Sequence, residues 1–189
     1  SDARQGDLMA HAALQFAPDL LLKAQNVRVL FLDVDGVLTD GGLLFSEQGE
    51  TLKRFNTLDG HGIKLLQKAG ITTAVVTGRD SAPLRLRLQQ LGVAHVRYGT
   101  EDKFPAAQSI LDELGLDWSQ AAAMGDDWPD LPMLSRSALA CAPSNAHAEC
   151  LAIADFVAPC AGGQGAVRAV CDLLLVATGA YRRLLEAYL

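Results

Sequence analysis

Cysteines are few and widely spaced in this sequence, which excludes two kinds of small cross-linked protein. The chain has four, nine to eleven residues apart and without a CxxC pair, at Cys141, Cys150, Cys160 and Cys171. A structural zinc site needs closer ligand pairs, and a disulfide scaffold needs a shorter, cysteine-dense secreted chain. We therefore expect free thiols in a reducing compartment, which points to the cytoplasm.

Basic clusters and long hydrophobic runs are also absent. The chain has 16 Lys and Arg against 22 Asp and Glu, a net charge of −6, with no basic stripe of the kind that binds nucleic acid. Apolar stretches stay far below the ~20 residues of a membrane-spanning helix, and residues 1–13 lack the pattern of a signal peptide. We expect neither nucleic acid nor membrane as a partner, whereas a small anionic substrate needs only a few local cations.

The composition that remains is that of a globular protein, half of it apolar, in 189 residues that suit one domain. Short aliphatic runs alternate with helical segments of about ten residues, which predicts βαβ units in a doubly wound parallel α/β sheet. The predicted strands span residues 27–32, 72–77, 94–97, 121–124, 138–142 and 155–157. The predicted helices span residues 8–25, 63–68, 82–91, 104–114 and 165–176.

Three segments add to this pattern within a single domain, residues 1–189. Residues 1–26 are predicted to form an N-terminal helical extension. A β-hairpin is expected within residues 42–56, after strand one, where Gly49 suits a turn. The tail, residues 180–189, is apolar for a terminus, so we expect it either to continue the last helix or to dock on another surface.

Polar side chains follow four of the predicted strands. Asp33 and Asp35 come directly after strand one, Thr77 after strand two, Lys103 beyond strand three and Asp126 after strand four. Ligands of doubly wound sheets bind beyond the carboxyl ends of the strands, so these side chains are expected to converge. Gathered carboxylates repel one another unless a cation joins them, and carboxylate oxygens suit Mg²⁺.

This set of groups suits the hydrolysis of a phosphomonoester. One carboxylate can attack phosphorus and form an acyl phosphate, which divides a difficult reaction into two easier steps. A second carboxylate, two residues on, can protonate the leaving oxygen and later activate water. Lys103, Thr77 and the amides after Asp33 can bind the phosphate oxygens.

These residues, in this order, resemble the haloacid dehalogenase superfamily of phosphotransferases. Its DxDG signature stands here as Asp33-Val-Asp-Gly36, followed by Thr77, Lys103 and Gly125-Asp-Asp127. The resemblance implies that Asp33 is the nucleophile and Asp35 the acid/base. It also implies that Mg²⁺ binds Asp33, the carbonyl of Asp35 and Asp126, while Asp127 supports these ligands without touching the ion.

A closer resemblance, over residues 27–179, is to the 3-deoxy-D-manno-octulosonate 8-phosphate phosphatase family. It rests on residues 33–41, 49–50, 53–56, 59–63 and 162–168. It implies a phosphorylated sugar-acid substrate in lipopolysaccharide biosynthesis, no cap domain, and a homotetramer in which the hairpins form an intersubunit barrel. The substrate contacts it implies are Asp35, Asn56, Thr57, Leu58, Asp59, Gly60, Lys64, Gly78, Arg79, Arg87 and Lys103.

Three alternatives remain open from the sequence. Leu58 and Gln164 stand where arginines are common in this family, so a phosphatase of a nine-carbon sugar-acid 9-phosphate is the nearest rival. A non-catalytic tetramerisation module of nucleotide-sugar synthesis would have no use for an intact nucleophile and acid/base. A response-regulator receiver also gathers acids around an aspartate, but it lacks the DxDG spacing. Functions for His61, Arg54 and Asp130 are as plausible as structural roles.

Overall fold

A six-stranded parallel sheet forms the centre of the protein, whose computed structural model describes residues 13–189. Its strand order is β5-β4-β1-β6-β7-β8, and every neighbouring pair is parallel. A separate antiparallel pair, β2 and β3, is inserted after β1. The strands are β1 Val29–Leu32, β2 Leu44–Ser46, β3 Gly49–Leu52, β4 Thr72–Val76, β5 His95–Arg97, β6 Ala121–Met124, β7 Leu139–Ala142 and β8 Phe156–Val157.

Helices connect the strands and cover both faces of the sheet. They are α1 Pro18–Ala24, α2 Thr57–Lys68, α3 Ala82–Leu91, α4 Lys103–Leu114, α5 Leu131–Leu134, α6 Ala148–Ile153, α7 Ala166–Ala177 and α8 Tyr181–Glu186. Short 3₁₀ turns span Trp118–Gln120 and Trp128–Asp130. Among residues 13–189, no helix has both the length and the hydropathy that crossing a membrane would require.

The two faces of the sheet explain why β1 is an unbroken apolar run. Leu30 and Leu32 belong to the hydrophobic cluster on one face, which also contains residues of α2, α3 and α7. Val29 and Phe31 belong to the cluster on the other face, with α4 and α6. Because successive side chains of a strand point to opposite faces, both sets must be apolar. The expected doubly wound α/β fold with a hairpin after strand one is confirmed.

Helix α2 begins six residues earlier than predicted, at Thr57 rather than Ile63. The Asn56 side chain accepts hydrogen bonds from the amides of Leu58 and Asp59, and so caps the helix. Gly60 and Gly62, in the first turns of α2, are close-packing sites. A Cβ at Gly62 would lie 3.0 Å from the Cys171 side chain of α7.

Four further predictions concern the cysteines, the C-terminal tail, the hairpin and the N-terminal helix. All four cysteines are free, as expected. The tail does not continue α7, because a turn at Gly179 with a φ of 78° separates α7 from α8. It docks on α2 instead, where Tyr188 Oη lies 3.2 Å from His61 Nε2. The sequence predicts the second hairpin strand at residues 51–55, and in the structure this strand begins two residues earlier, at Gly49. Of the predicted N-terminal helix, residues 1–12 lie outside the described residues and Pro18–Ala24 are helical.

Candidate active site

The candidate site lies where the strand order reverses. Strand β1 pairs with β4 on one side and β6 on the other, so Asp33, Thr77 and Asp126 follow three adjacent strands. The Asp33 amide donates to the carbonyl oxygen of Met124 at 3.2 Å, which ties the loop after β1 to β6. This is the position at which doubly wound proteins bind ligands.

A buried lysine organises the centre of the site. Lys103 Nζ lies 2.9 Å from Asp33 Oδ1 and 2.7 Å from Asp130 Oδ1, and its side chain is 3% exposed. Burial lowers the pKa of Lys103, but the charges of Asp33 and Asp130 outweigh it, so the pKa is raised. The lysine therefore stays charged and holds the Asp33 carboxylate in place.

Three carboxylates converge next to this lysine. Ligand oxygens of Asp33, Asp126 and Asp130 all lie within 4.8 Å of one another. Burial, followed by repulsion from Asp130, raises the pKa of Asp33 to about 6. Burial, followed by repulsion from Asp33 and Asp130, raises the pKa of Asp126 to about 8. Both carboxylates are thus held in surroundings where their negative charges are poorly balanced by protein groups.

The surrounding cleft, of about 470 Å³, has the chemistry of a cation site. Six carboxylates line it against two cationic side chains, Arg79 and Lys103. A phosphate dianion would be repelled by this wall unless a metal cation were bound as well. The Asp130 oxygens already accept hydrogen bonds from Lys103 and from the amides of Asp126 and Asp127. The carboxylates left for Mg²⁺ are therefore those of Asp33 and Asp126, and the residues fit the ion.

Asp130, left open by the sequence, occupies a more central place than Asp127. Its side chain is 1% exposed, and it joins Lys103 to the loop after β6. Asp127 is exposed, lines the cleft, and caps the 3₁₀ turn by accepting a hydrogen bond from the Trp128 amide at 2.8 Å. Support of the metal ligands by Asp127 stays a prediction. From the sequence pattern D-D-x-x-D alone, it cannot be decided whether Asp127 or Asp130 lies closer to the centre of the site.

Asp35 faces the hairpin rather than the acidic cluster. Lys53, just after β3, donates from Nζ to Asp35 Oδ1 at 2.6 Å. Arg79 Nε lies 3.6 Å from Asp35 Oδ2, and Arg79 Nη1 lies 3.8 Å from Glu50 Oε2. The contact from Lys53 was missed by sequence reasoning. Two signals were available: Lys53 belongs to residues 53–56, which carry part of the family resemblance, and it follows a hairpin inserted after strand one.

Glycines allow the loop after β1 to pack without gaps. Gly36 has a φ of 89°, and a Cβ there would lie 2.0 Å from Asp126 Oδ2. On the other side of the loop, a Cβ at Gly162 would lie 1.9 Å from the Gly36 carbonyl oxygen. The hydroxyl of Thr39, itself buried, accepts hydrogen bonds from the amides of Gly36 and Gly41. The loop therefore packs closely on both sides, against the Asp126 carboxylate on one and against Gly162 on the other.

The remaining residues predicted to contact substrate fall into two groups. Gly78, Arg79 and Lys103 line the cleft with Asp35, while the Thr77 hydroxyl accepts a hydrogen bond from the Arg79 amide. The second group lies at or near α2, and the structure gives several of its members other partners. This group consists of Asn56, Thr57, Leu58, Asp59, Gly60, Lys64 and Arg87.

Within the second group, Asp59 is buried and accepts a hydrogen bond from the Arg168 amide at 2.9 Å, at the start of α7. Burial raises the pKa of Asp59 against the opposing effect of amides at the start of α7. Gly60 makes room for Arg87, since a Cβ at residue 60 would lie 2.4 Å from an Arg87 nitrogen. Leu58 and Lys64 are exposed. Substrate contacts from these residues stay predictions.

Comparison with known proteins agrees with this geometry. A family model of haloacid dehalogenase-like hydrolases matches residues 95–170. The 3-deoxy-D-manno-octulosonate 8-phosphate phosphatase KdsC of Salmonella typhimurium is 41% identical over 163 residues, which cover 86% of this chain and 87% of the relative. The crystal structure of the Yersinia pestis 3-deoxy-D-manno-octulosonate 8-phosphate phosphatase is 40% identical with a TM-score of 0.86, covering 88% of this chain and 90% of that one.

A further solved structure is that of the Moraxella catarrhalis phosphatase in complex with a magnesium ion, a phosphate ion and a KDO molecule. It is 32% identical with a TM-score of 0.89, and covers 92% of this chain and all of that one. Fold and site thus define a haloacid dehalogenase-like hydrolase. Within that superfamily, the chain belongs to the family of 3-deoxy-D-manno-octulosonate 8-phosphate (KDO 8-phosphate) phosphatases.

The packing of Gly36 against Asp126 predicts the effect of a single methyl group. Gly36→Ala would place a Cβ against the Asp126 carboxylate and strain the backbone. We expect phosphatase activity to fall by about 100-fold or more, because displacements of this size in a site cost that much. Steady-state turnover and thermal unfolding would be measured together.

Gly115→Ala is the matched control. Gly115 also has a positive φ, 66°, but a Cβ there would meet nothing within 4 Å. It should share the loss of stability that a side chain causes at a left-handed position, about 1–2 kcal/mol, and keep full activity. Equal activity losses in the two variants would show that backbone strain, and not the contact with Asp126, explains the effect.

Proposed function

We propose that this protein hydrolyses KDO 8-phosphate to KDO and phosphate with Mg²⁺, through an aspartyl-phosphate on Asp33. The observation that supports this most directly is the Asp33 carboxylate, held by buried Lys103 at the switch point of the sheet beside Asp126. Family membership supports the reaction, and the relative solved with magnesium, phosphate and KDO supports the substrate and the ion. Lipopolysaccharide biosynthesis in the cytoplasm is the expected setting.

The proposed chemistry begins with attack by a free oxygen of Asp33 on phosphorus. The bond from phosphorus to the sugar oxygen breaks, and Asp35 gives its proton to that leaving oxygen. A water molecule then gives a proton to Asp35 and attacks the phosphorus of the acyl phosphate, which returns Asp33 and releases phosphate. Mg²⁺, held by Asp33, the carbonyl of Asp35 and Asp126, neutralises charge on the phosphoryl oxygens.

The remaining groups would bind the substrate. Lys103 is positioned for a phosphate oxygen, since it already lies 2.9 Å from the nucleophile. Thr77, at the end of the adjacent strand β4, would supply a hydroxyl to the same group. Arg79, on the wall of the cleft, and Arg87 would bind the sugar-acid carboxylate, for which guanidinium groups are well shaped.

We also propose that the protein forms a homotetramer through its hairpin. Strands β2 and β3 have no third strand within residues 13–189, and their large apolar side chains face outward. Leu44 is 52% exposed, Phe45 64% and Leu52 63%. A cluster of this kind on a two-stranded sheet is typical of a surface that another chain covers.

The nucleophile is tested with Asp33→Asn on a panel of phosphates. The amide is isosteric but cannot attack phosphorus, so we expect turnover of KDO 8-phosphate to fall at least about 10³-fold. The panel should contain the nine-carbon 2-keto sugar-acid 9-phosphate and hexose phosphates beside KDO 8-phosphate. Wild-type protein should prefer the eight-carbon acid.

The control for this experiment is Asp112→Asn, an exposed aspartate on α4, which should leave turnover unchanged. Appreciable turnover by Asp33→Asn would remove Asp33 as the nucleophile. A wild-type preference for the nine-carbon acid would keep the mechanism and replace the substrate. If no member of the panel were hydrolysed by wild type, the scaffold alternative would be favoured.

Removal of the metal tests whether the acidic cleft needs a bound cation in order to accept a phosphate dianion. Because six carboxylates line the cleft against two cations, a phosphate dianion should not bind productively without Mg²⁺. We expect EDTA followed by desalting to abolish phosphate release, and added Mg²⁺ to restore it. Circular dichroism of the treated protein should be unchanged, since two hydrophobic clusters hold the fold. Full activity after chelation would contradict a metal role.

The hairpin interface is tested by light scattering. Phe45→Glu combined with Leu52→Glu places charges on the exposed apolar face of the hairpin, and should dissociate the tetramer because burying an unpaired charge is costly. Leu22→Glu is the control, since Leu22 on α1 is equally exposed at 64% but lies outside the hairpin. A wild-type protein that scatters as a monomer would refute the tetramer.

A further inference from the structure

A group of four charged side chains joins the hairpin to the loop after β1. We call it the hairpin charge cluster, and it consists of Asp35, Glu50, Lys53 and Arg79. Lys53 Nζ lies 2.6 Å from Asp35 Oδ1 and also pairs with Glu50. Arg79 lies 3.6 Å from Asp35 and 3.8 Å from Glu50. The two cations and two anions alternate, so each charge has opposite charges as neighbours.

Lys53 is the most deeply buried member of the cluster. Its side chain is 1% exposed, against 10% for Glu50, 22% for Asp35 and 45% for Arg79. Lysine is almost never fully buried without partners, because removing its ammonium group from water costs several kcal/mol. Here both partners are acids at contact distance, so the position of the ammonium group is strongly determined. Because Lys53 donates a hydrogen bond to Asp35 Oδ1, a fixed ammonium group also fixes the position of that oxygen.

We infer that Lys53 is a positioning residue for the reaction, which orients the carboxylate of Asp35 toward the leaving oxygen of the substrate. The inference rests on the proposed role of Asp35 as acid/base. Lys53 holds one oxygen, Oδ1, and leaves Oδ2 directed toward Arg79 and the cleft. Glu50 balances the charge of the lysine, so that Lys53 can orient Asp35 without adding a net positive charge beside it.

Asp35 needs a positioning residue because it lacks the support that Lys103 gives to Asp33. Asp33 is fixed by Lys103, a residue of α4, whereas Asp35 is two residues further along the loop and makes no ion pair to α4 among those found in residues 13–189. A general acid must lie within hydrogen-bond reach of the atom it protonates. The only ion-pair contacts that hold Asp35 in that part of the chain come from Lys53 and Arg79.

The test compares two substrates that differ in their need for an acid. KDO 8-phosphate has an alkoxide leaving group that requires a proton, whereas p-nitrophenyl phosphate releases a phenolate that is stable as an anion. Lys53→Met keeps the apolar stem and removes the ammonium group. We expect its kcat for KDO 8-phosphate to fall about 10- to 100-fold, within the range of general acid catalysis, with KM little changed. Its kcat for p-nitrophenyl phosphate should fall by less than about threefold.

The ratio of the two activities, measured on one sample, does not depend on how much of the variant is folded. Lys53→Arg, which keeps a charged donor, should move this ratio back toward wild type. Lys68→Met, at an exposed lysine on α2, should leave both activities unchanged. Equal losses on the two substrates, or no loss on either, would overturn the inference.

Asp35→Asn separates this inference from the proposed function. If Asp35→Asn loses KDO 8-phosphate turnover selectively and Lys53→Met does not, the inference about Lys53 fails and the role of Asp35 stands. If Asp35→Asn affects both substrates equally, the acid role of Asp35 fails, and the inference fails with it. Selective loss in both variants supports both.

Discussion

The burial of one ammonium group between two carboxylates is the constraint on which the site depends. Lys103 begins α4, and its contacts with Asp33 and Asp130 tie together the loops after β1 and β6. Such a cation is tolerated in the interior only because both acids are present. In turn, Asp130 uses its second oxygen to hold the amides of Asp126 and Asp127. A single network thus places the proposed nucleophile, Asp33, and the second candidate metal ligand, Asp126, relative to each other.

The site is divided between a rigid half and a half supplied by the hairpin. Asp33, Asp126 and Lys103 lie directly at the ends of sheet strands or at the start of a helix that packs on the sheet. Asp35 instead depends on Lys53, which follows a hairpin whose apolar side chains are exposed. The proposed nucleophile and the proposed acid/base are therefore held by different parts of the fold, one by the sheet and α4 and the other by the hairpin.

The sheet and the acidic motifs were predictable because each is encoded locally. Strand β1 is apolar on both faces and stops at Asp33, so its end and the convergence of residues beyond it could be inferred from the sequence. The start of α2 could not, because Gly60 and Gly62 resemble a turn until their contacts with Arg87 and Cys171 are known. The contact of Lys53 with Asp35 spans 18 residues and depends on how the hairpin folds back. Asp130 was ambiguous because a helix cap and a buried partner look alike in sequence.

The contact between Gly162 and the Gly36 carbonyl has a consequence for how the chain can be altered. Although the two segments are more than 120 residues apart, they pack so closely that Gly162 has no room for a side chain, and Gly163 adds a similar restriction beside Thr39. The loop after β1 and the glycine-rich segment before α7 therefore constrain each other's sequence. A chimera that exchanged the first segment with that of another phosphatase would have to exchange the second with it. Directed evolution of substrate range has more freedom at the exposed positions of α2, such as Leu58 and Lys64.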